Sequence, residues 1–401
     1  MINIYIWGTG FYAEHVYSAI SKERCIIKGF IDSDRNKQGN LWRNESMIYS
    51  PEDILKSEYD FIILSMLQYE SAENNCKELG IPKEKVISYW KDSESIGIFR
   101  SRALEILEEQ KKRKVYENRL DSAPYEWGLK AVPKINSAEK LLKKILSDKS
   151  SLCRFGDGEF DIMFGENCSW FQKKSDSLRR RLIEIIHSNT SVINIAIAQN
   201  FVRLEDYKEE AADEIRAYMS DGVRETIIQF LDMNSTYYDA YVTRPYIIYR
   251  DRKNADIIFP LLKKLWSKRS IILVEGEYGR TGINNDLFDN VDNVRRIICP
   301  SKDAWAKYNE IKDTILHVAE MDDLICISLG PSATVLAYDL AELGYQALDI
   351  GQIDNEYDWY IRGVDKRIAI EGKMVAEIAQ HKIINHIYDI QYVSQIAAVI
   401  E

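Results

Sequence analysis

The stretch Leu152-Cys153-Arg154-Phe155-Gly156-Asp157-Gly158-Glu159-Phe160 sets two carboxylates two residues apart between glycines. Residues 151–155 read as a short buried strand. If the chain stays extended beyond it, Asp157 and Glu159 project to the same side. Gly156 and Gly158 permit positive φ and let a bulky ligand approach the backbone. Two such carboxylates at the end of a parallel strand suit a hard divalent cation whose other ligands are phosphate oxygens. A lone D-x-E is also a common surface turn, so the assignment depends on what stands beside it.

Two further stretches supply that company. Leu329-Gly330-Pro331-Ser332-Ala333-Thr334 reads as strand, turn and helix. Gly330 serves the turn, Pro331 suits the first helical position, and Ser332 and Thr334 offer hydroxyls near unpaired amides. A helix start after a parallel strand attracts anions, so a diphosphate is expected there, bridged by a cation to Asp157 and Glu159. Asp349 to Trp359 again places acids after a strand. Open α/β sheets bind ligands at the carboxyl ends of their strands. The acidic loops Asp157/Glu159, Glu275/Glu277 and Asp354/Glu356 are therefore expected to converge on one crevice. An acid of the third loop, Asp354 or Glu356, could act as general base toward a sugar hydroxyl, worth roughly 10²- to 10⁴-fold. Arg244 and Arg280 are candidate phosphate clamps, since guanidinium pairs with phosphate bidentately. Asn285 and Asp286 either cap a helix or touch the ligand. His381 and His386 read as surface residues. The chain has neither a G-x-x-x-x-G-K-[ST] phosphate loop nor a G-x-S-x-G nucleophile elbow.

The elements that must position these groups fall into an α/β pattern of two Rossmann-like parallel sheets joined by a helical linker. Residues 1–92 alternate strand and helix: Ile2 to Trp7, a glycine turn, a helix from Ala13, Ile26 to Ile31, Phe61 to Ser65 and Val86 to Tyr89. Gly8, Gly10 and Ala13 match the dinucleotide fingerprint, with Asp32 where a ribose-binding acid belongs. Residues 93–136 are expected to be a linker, with a charged helix from Arg100 to Arg119 and a loop holding Pro124 and Pro133. Ser137 then opens a helix with an apolar stripe. Residues 137–401 form the larger unit, with strands at 151–155, 192–197, 271–274, 296–299, 324–329 and 347–350.

Composition limits the classes of function. A formal charge of −10 argues against sequence-independent nucleic-acid binding. No run is long and apolar enough for a membrane span, and the first residues enter a strand directly, without a signal peptide. Six cysteines without a C-x-x-C pair point to a reducing compartment, by default the cytoplasm.

The motifs named so far fall in one order with Phe171-Gln172, Val274-Glu275-Gly276, Asn285-Asp286-Leu287-Phe288 and Glu356-Tyr357-Asp358-Trp359. In that order the chain resembles, over roughly 135–390, the bacterial GT-D fold glycosyltransferases of surface-polysaccharide and glycoprotein pathways. The resemblance implies a UDP-sugar donor, glucose being a plausible sugar, a glycan acceptor and Mn²⁺ or Mg²⁺ at Asp157 and Glu159. It makes Glu356 and Glu377 candidates for acceptor activation. The family usually has His at the position of Gln352, and an amide cannot take a proton. A homo-oligomer, and peripheral membrane contact through a lipid-linked acceptor, are compatible with it. The competing expectations are an NAD-dependent sugar-nucleotide oxidoreductase or epimerase using Gly8, Gly10, Ala13 and Asp32, and a non-catalytic ligand-sensing or assembly module.

Overall fold

Short runs of branched apolar residues build both sheets. The computed structural model describes residues 1–91, 102–168, 171–375 and 389–401. The chain divides into two units, Met1–Glu117 and Asn118–Glu401.

The smaller unit contains strands β1 (Ile2–Trp7), β2 (Cys25–Ile31), β3 (Leu41–Trp42), β4 (Ser46–Tyr49), β5 (Phe61–Leu64) and β6 (Val86–Ser88). Helices α1 (Phe11–Ala19) and α2 (Glu70–Glu78) lie among them. The sheet order is β3-β4-β2-β1-β5-β6, parallel except for the β3–β4 hairpin. Ile4 and Ile6 of β1 pack with Phe30 and Trp42, whereas Tyr5 and Trp7 pack with Ile62 and Leu64. That alternation shows a sheet covered on both faces, as parallel sheets require.

Helix α3 (Arg102–Glu126) spans the division between the units. It runs through Pro124, which was expected in a loop; a proline so near the end removes a single helical hydrogen bond.

Among the described residues the larger unit carries nine strands: β7 (Lys134–Asn136), β8 (Ser151–Phe155), β9 (Ile193–Ile197), β10 (Thr236–Asp239), β11 (Ser270–Gly276), β12 (Asn293–Cys299), β13 (Leu324–Ser328), β14 (Gln346–Asp349) and β15 (Ile396–Val399). Their order is β15-β12-β11-β13-β14-β8-β9-β10-β7, and every pairing is parallel. The helices that bear on the site are α4 (Ala138–Asp148), α5 (Asp157–Phe164), α6 (Asp176–Ile186), α7 (Glu209–Met219), α8 (Val223–Gln229), α9 (Lys253–Trp266), α10 (Tyr308–Val318), α11 (Pro331–Glu342) and α12 (Ile353–Arg362). Ser137 caps α4 as expected, its hydroxyl accepting the Lys140 N–H at 3.3 Å. All five residues of β9 are buried; four are apolar, and the fifth, Asn194, donates to Ser150 Oγ (2.6 Å) and the Ser151 carbonyl (3.0 Å). β8 lies between β14 and β9, where the strands that follow it move off to one side and later strands return on the other. A crevice for ligands opens at such a reversal.

Candidate functional site

A cavity of about 560 Å³ opens there, within the range of small-molecule sites. Segments that follow seven consecutive strands of the sheet, or their last residues, line it. They contribute Gly156 to Glu159 and Asp161 after β8, Ala198 and Asn200 after β9, and Tyr241 and Arg244 after β10. Gly276, Gly279 and Thr281 close β11, and Pro300, Ser301 and Asp303 follow β12. Ser328 to Pro331 and Gly351 to Gln352, with Asp354 and Asn355, come from β13 and β14. The three acidic loops do meet at one place, although not all of their carboxylates face it.

The D-x-E pair departs from its expected geometry. The strand stops at Phe155, and Asp157 is already the first residue of α5, with Gly156 as the N-cap. Residues two apart on a helix point in different directions. Glu159 turns back, and its Oε2 accepts the Gly156 N–H at 2.7 Å, a capping-box contact. Asp157 is exposed, with Oδ1 accepting the Gly158 N–H at 3.0 Å. Its partner on the same helical face is Asp161, one turn on. Burial and the Asp157 charge push the Asp161 carboxyl up to about 6, against the hydrogen bond from Tyr218 that favours its ionised form. Burial first, then Asp349, pushes Glu159 up to about 7. Gly158 has a steric purpose, since a Cβ there would lie 2.6 Å from Cys168 Sγ.

This is a concentration of hard oxygen donors whose mutual repulsion a cation would relieve, so the side chains fit Mg²⁺ or Mn²⁺. Among the described residues no group of three or more His, Cys, Asp or Glu side chains is arranged to hold a metal. A cation would take Asp157, whose same-face neighbour is Asp161, reach Glu159 only through the oxygen that the Gly156 contact leaves free, and draw its remaining ligands from diphosphate and water.

The start of α11 faces the cavity through Gly330 and Pro331. Gly330 has φ +54 as N-cap. Ser332 and Thr334 do not face the ligand. Both are buried: the Ser332 hydroxyl turns toward Gln172 Oε1 (3.4 Å), and that of Thr334 donates to the Arg154 carbonyl (2.8 Å). What α11 offers an anion is its backbone amides.

The third loop also needs correction. Glu356 is 1% exposed and does not line the cavity; its Oε2 accepts the N–H groups of Tyr246 (3.2 Å) and Ile247 (3.0 Å). It fixes the chain after Arg244 and is badly placed for a base. Asp354 reaches the cavity wall, but Oδ1 accepts from Gly282 N–H and Asn285 Nδ2 (both 2.8 Å), and Oδ2 pairs with buried Lys373 at 2.6 Å. Asn285 is thereby structural, bridging Asp354 and Asp358. Asp286 pairs with Lys263 at 2.7 Å, outside the cavity. Glu275 is buried against Arg296, and Glu277 accepts from Ser301 at 3.2 Å. Arg280 donates to the Gly372 carbonyl at 2.7 Å and also lies outside. Arg244 does line the cavity. So does Gln352, which accepts from Asn355 Nδ2 at 3.2 Å. Glu377, His381 and His386 lie outside the described residues.

In the smaller unit Gly8 has φ +110, and Gly10 caps α1. The Asp32 carboxylate is spent internally on the Thr9 hydroxyl, the Asp34 N–H (2.9 Å) and Lys37 (3.1 Å). A ribose would have to displace those bonds.

Several cavity residues escaped the sequence reading. Tyr218, Glu214 and Arg367 form one wall, with Arg367 and Glu214 3.7 Å apart. Glu214 and Tyr218 sit on α7, whose sequence reads as a helix but carries no motif that singles out either residue. Asp161, Asn200, Tyr241 and Asp303 line the cavity too, as does Arg154, which stands in the D-x-E stretch but was given no role there.

Two family models match the chain. The glycosyltransferase GT-D fold covers residues 152–378, and a C2185-like, N-terminal model covers 1–87. The chain is 35% identical over 266 residues to a probable glycosyl transferase Gly of Streptococcus gordonii, covering 65% of this chain and 38% of the relative. It is 34% identical to glycosyltransferase GlyD of Streptococcus pneumoniae serotype 4, covering 66% and 32%. It thus spans about a third of these relatives' length. A solved structure described as the highly conserved domain of unknown function 1792, with a distinct glycosyltransferase fold, superposes with a TM-score of 0.64 at 30% identity, covering 72% of this chain and 99% of that one. A glycosyltransferase of the same domain type from Streptococcus sanguinis gives 0.63 at 33% identity, covering 67% and 100%.

Proposed function

The chain belongs to the GT-D glycosyltransferase fold family, and from that premise we propose that it moves a sugar from a nucleotide donor to a glycan or glycoconjugate acceptor. The donor we infer is a UDP-sugar, with glucose as the sugar, in surface-polysaccharide or glycoprotein synthesis on the cytoplasmic side. Among the described residues no helix is long and apolar enough to cross a membrane, so a lipid-linked acceptor would be met peripherally.

One observation carries the reading: exposed Asp157, the start of α11 and Arg244 line a single cavity at the strand ends. Departure of a nucleoside diphosphate concentrates negative charge, and catalysis consists largely of opposing it in a prearranged site. The amides at the start of α11 and the Arg244 guanidinium do so directly. Asp157 and Glu159 would hold Mg²⁺ or Mn²⁺, which supplies charge neutralisation when bound. Tyr218 and Tyr241 line the same cavity and would pack beside the bound donor.

The test is a panel of UDP-, GDP- and TDP-sugars read by nucleotide release, for wild type and Asp157→Ala, with and without EDTA. Release from one donor class, falling on the order of 100-fold or more in the variant and on chelation, is expected. Undiminished release in both removes the metal assignment; no release from any donor removes the function.

A further inference from the structure

A guanidinium stands in the middle of the ligand-binding edge, and the reaction as proposed so far leaves it idle. Arg154 is the fourth residue of β8; every other side chain of that strand is buried, and Arg154 reaches the cavity wall. β8 and β14 pair at Leu152 and Leu348. Beyond that point the Arg154 side chain crosses between them. Its Nε donates to the Asp349 carbonyl at 2.9 Å, and its Nη2 to the Asp349 carboxylate at 2.8 Å. Asp349 is almost wholly buried. Its Oδ1 also accepts the Gly351 N–H at 3.1 Å, which fixes the carboxylate in turn.

Gly351 closes the other side. It has φ +47, and a Cβ there would fall 2.2 Å from Nη2. Only glycine lets the guanidinium lie flat against the turn. Among the described residues Nη1 has no hydrogen-bond partner, so the group is held by two of its nitrogens and presents the third. Thr334, on the first turns of α11, donates to the Arg154 carbonyl at 2.8 Å. The strand residue that carries the guanidinium is thereby tied to α11, whose N-terminal end, like the guanidinium, favours an anion.

We propose that Arg154 is a ligand of the donor's phosphates, its Nη1 donating to a diphosphate oxygen, and that Asp349 and Gly351 are its positioning residues. This rests on the nucleotide-sugar reading and names a contact within it. A neutral sugar hydroxyl would gain little from a fixed cation, whereas a diphosphate is bound more tightly, and more so as its bond to the sugar breaks.

UDP with Mg²⁺ is titrated by calorimetry into the full chain, as wild type, Arg154→Ala, Arg154→Lys and Gly351→Ala, with a thermal melt of each. Arg154→Ala is expected to weaken UDP binding about 10- to 100-fold, the range for losing a hydrogen bond to a charged group. Arg154→Lys recovers part of it. Gly351→Ala, which keeps the arginine but evicts it from its seat, weakens binding in the same direction. In donor hydrolysis the KM for donor rises while the KM for acceptor in transfer stays put, a split that a purely structural role would not produce. Wild-type affinity in a folded Arg154→Ala overturns the proposal; if that variant does not fold, wild-type affinity in both Arg154→Lys and Gly351→Ala overturns it. If wild type binds no nucleoside diphosphate, the donor reading itself fails.

Discussion

Replacing Lys373 by methionine tests the frame beneath the cavity. Its Nζ lies 2.6 Å from Asp354 Oδ2 and 2.8 Å from Asp358 Oδ2, and the three side chains are 1%, 6% and 1% exposed. Methionine keeps the volume and removes the charge, leaving two carboxylates facing each other away from water. Asp358 keeps Arg362 at 3.2 Å, a partner that is 43% exposed, and Asn285 at 3.1 Å. Asp354 keeps only neutral donors, Gly282 N–H and Asn285. Breaking a buried pair by removing one partner costs about 3–5 kcal/mol, and the remaining neutral donors place this case inside that range. Because Asp354 holds the 279–285 loop against the cavity, donor turnover falls as well. The assay is urea denaturation followed by tryptophan fluorescence, with the triple variant Lys373→Met, Asp354→Asn, Asp358→Asn alongside. The triple variant should recover most of the loss, since it removes the orphaned charges. A loss below about 1 kcal/mol in the single variant, or a triple variant no better than it, refutes the reasoning.

Other expectations follow from the same geometry. Burial pushes Asp239 from its ordinary 3.8 up to about 7; the native state holds its proton where the unfolded chain has released it. Stability should therefore fall as pH rises from about 4 to 7, by up to about 4 kcal/mol. Asp239→Asn should make that limb shallower in melts between pH 4 and 8, the remainder coming from Glu159 and Asp161, and parallel curves would contradict it. In the smaller unit, Asp32→Ala should lower stability by about 1–2 kcal/mol, leave donor turnover unchanged and reveal no NAD binding in wild type by fluorescence titration. Saturable NAD binding would show that Asp32 is not committed to Thr9 and Lys37. Glu356→Gln should keep measurable donor hydrolysis, because Glu356 anchors the Tyr246–Ile247 amides. Complete loss in a folded protein would return it to the chemistry.

The central strands were legible because each is a mostly apolar run buried on both faces, as at 193–197 and 324–327. The edge strands β7 and β15, and β10 next to β7, three or four residues long and partly exposed, gave no such signal. The site was legible as a place and less so as a geometry. Asp157 and Glu159 were read as extended, yet Gly156 followed three residues later by Glu159 is the spacing of a capping box, with glycine in place of the usual serine or threonine. Glu356 and Asp354 look like loop acids in the sequence. Their partners Tyr246, Gly282 and Lys373 lie between 19 and 110 residues away, and no local pattern reveals them. Thr334 was expected at the ligand and instead braces Arg154 from behind.

The account stands most directly on where a nucleotide sits. Crystals of the full chain soaked with UDP and Mn²⁺ should show anomalous density for the metal at the Asp157 carboxylate. The diphosphate should lie between it and the Gly330–Pro331 turn. Nucleotide bound in the smaller unit instead, or metal and diphosphate both absent from the cavity at saturating concentration, would contradict it.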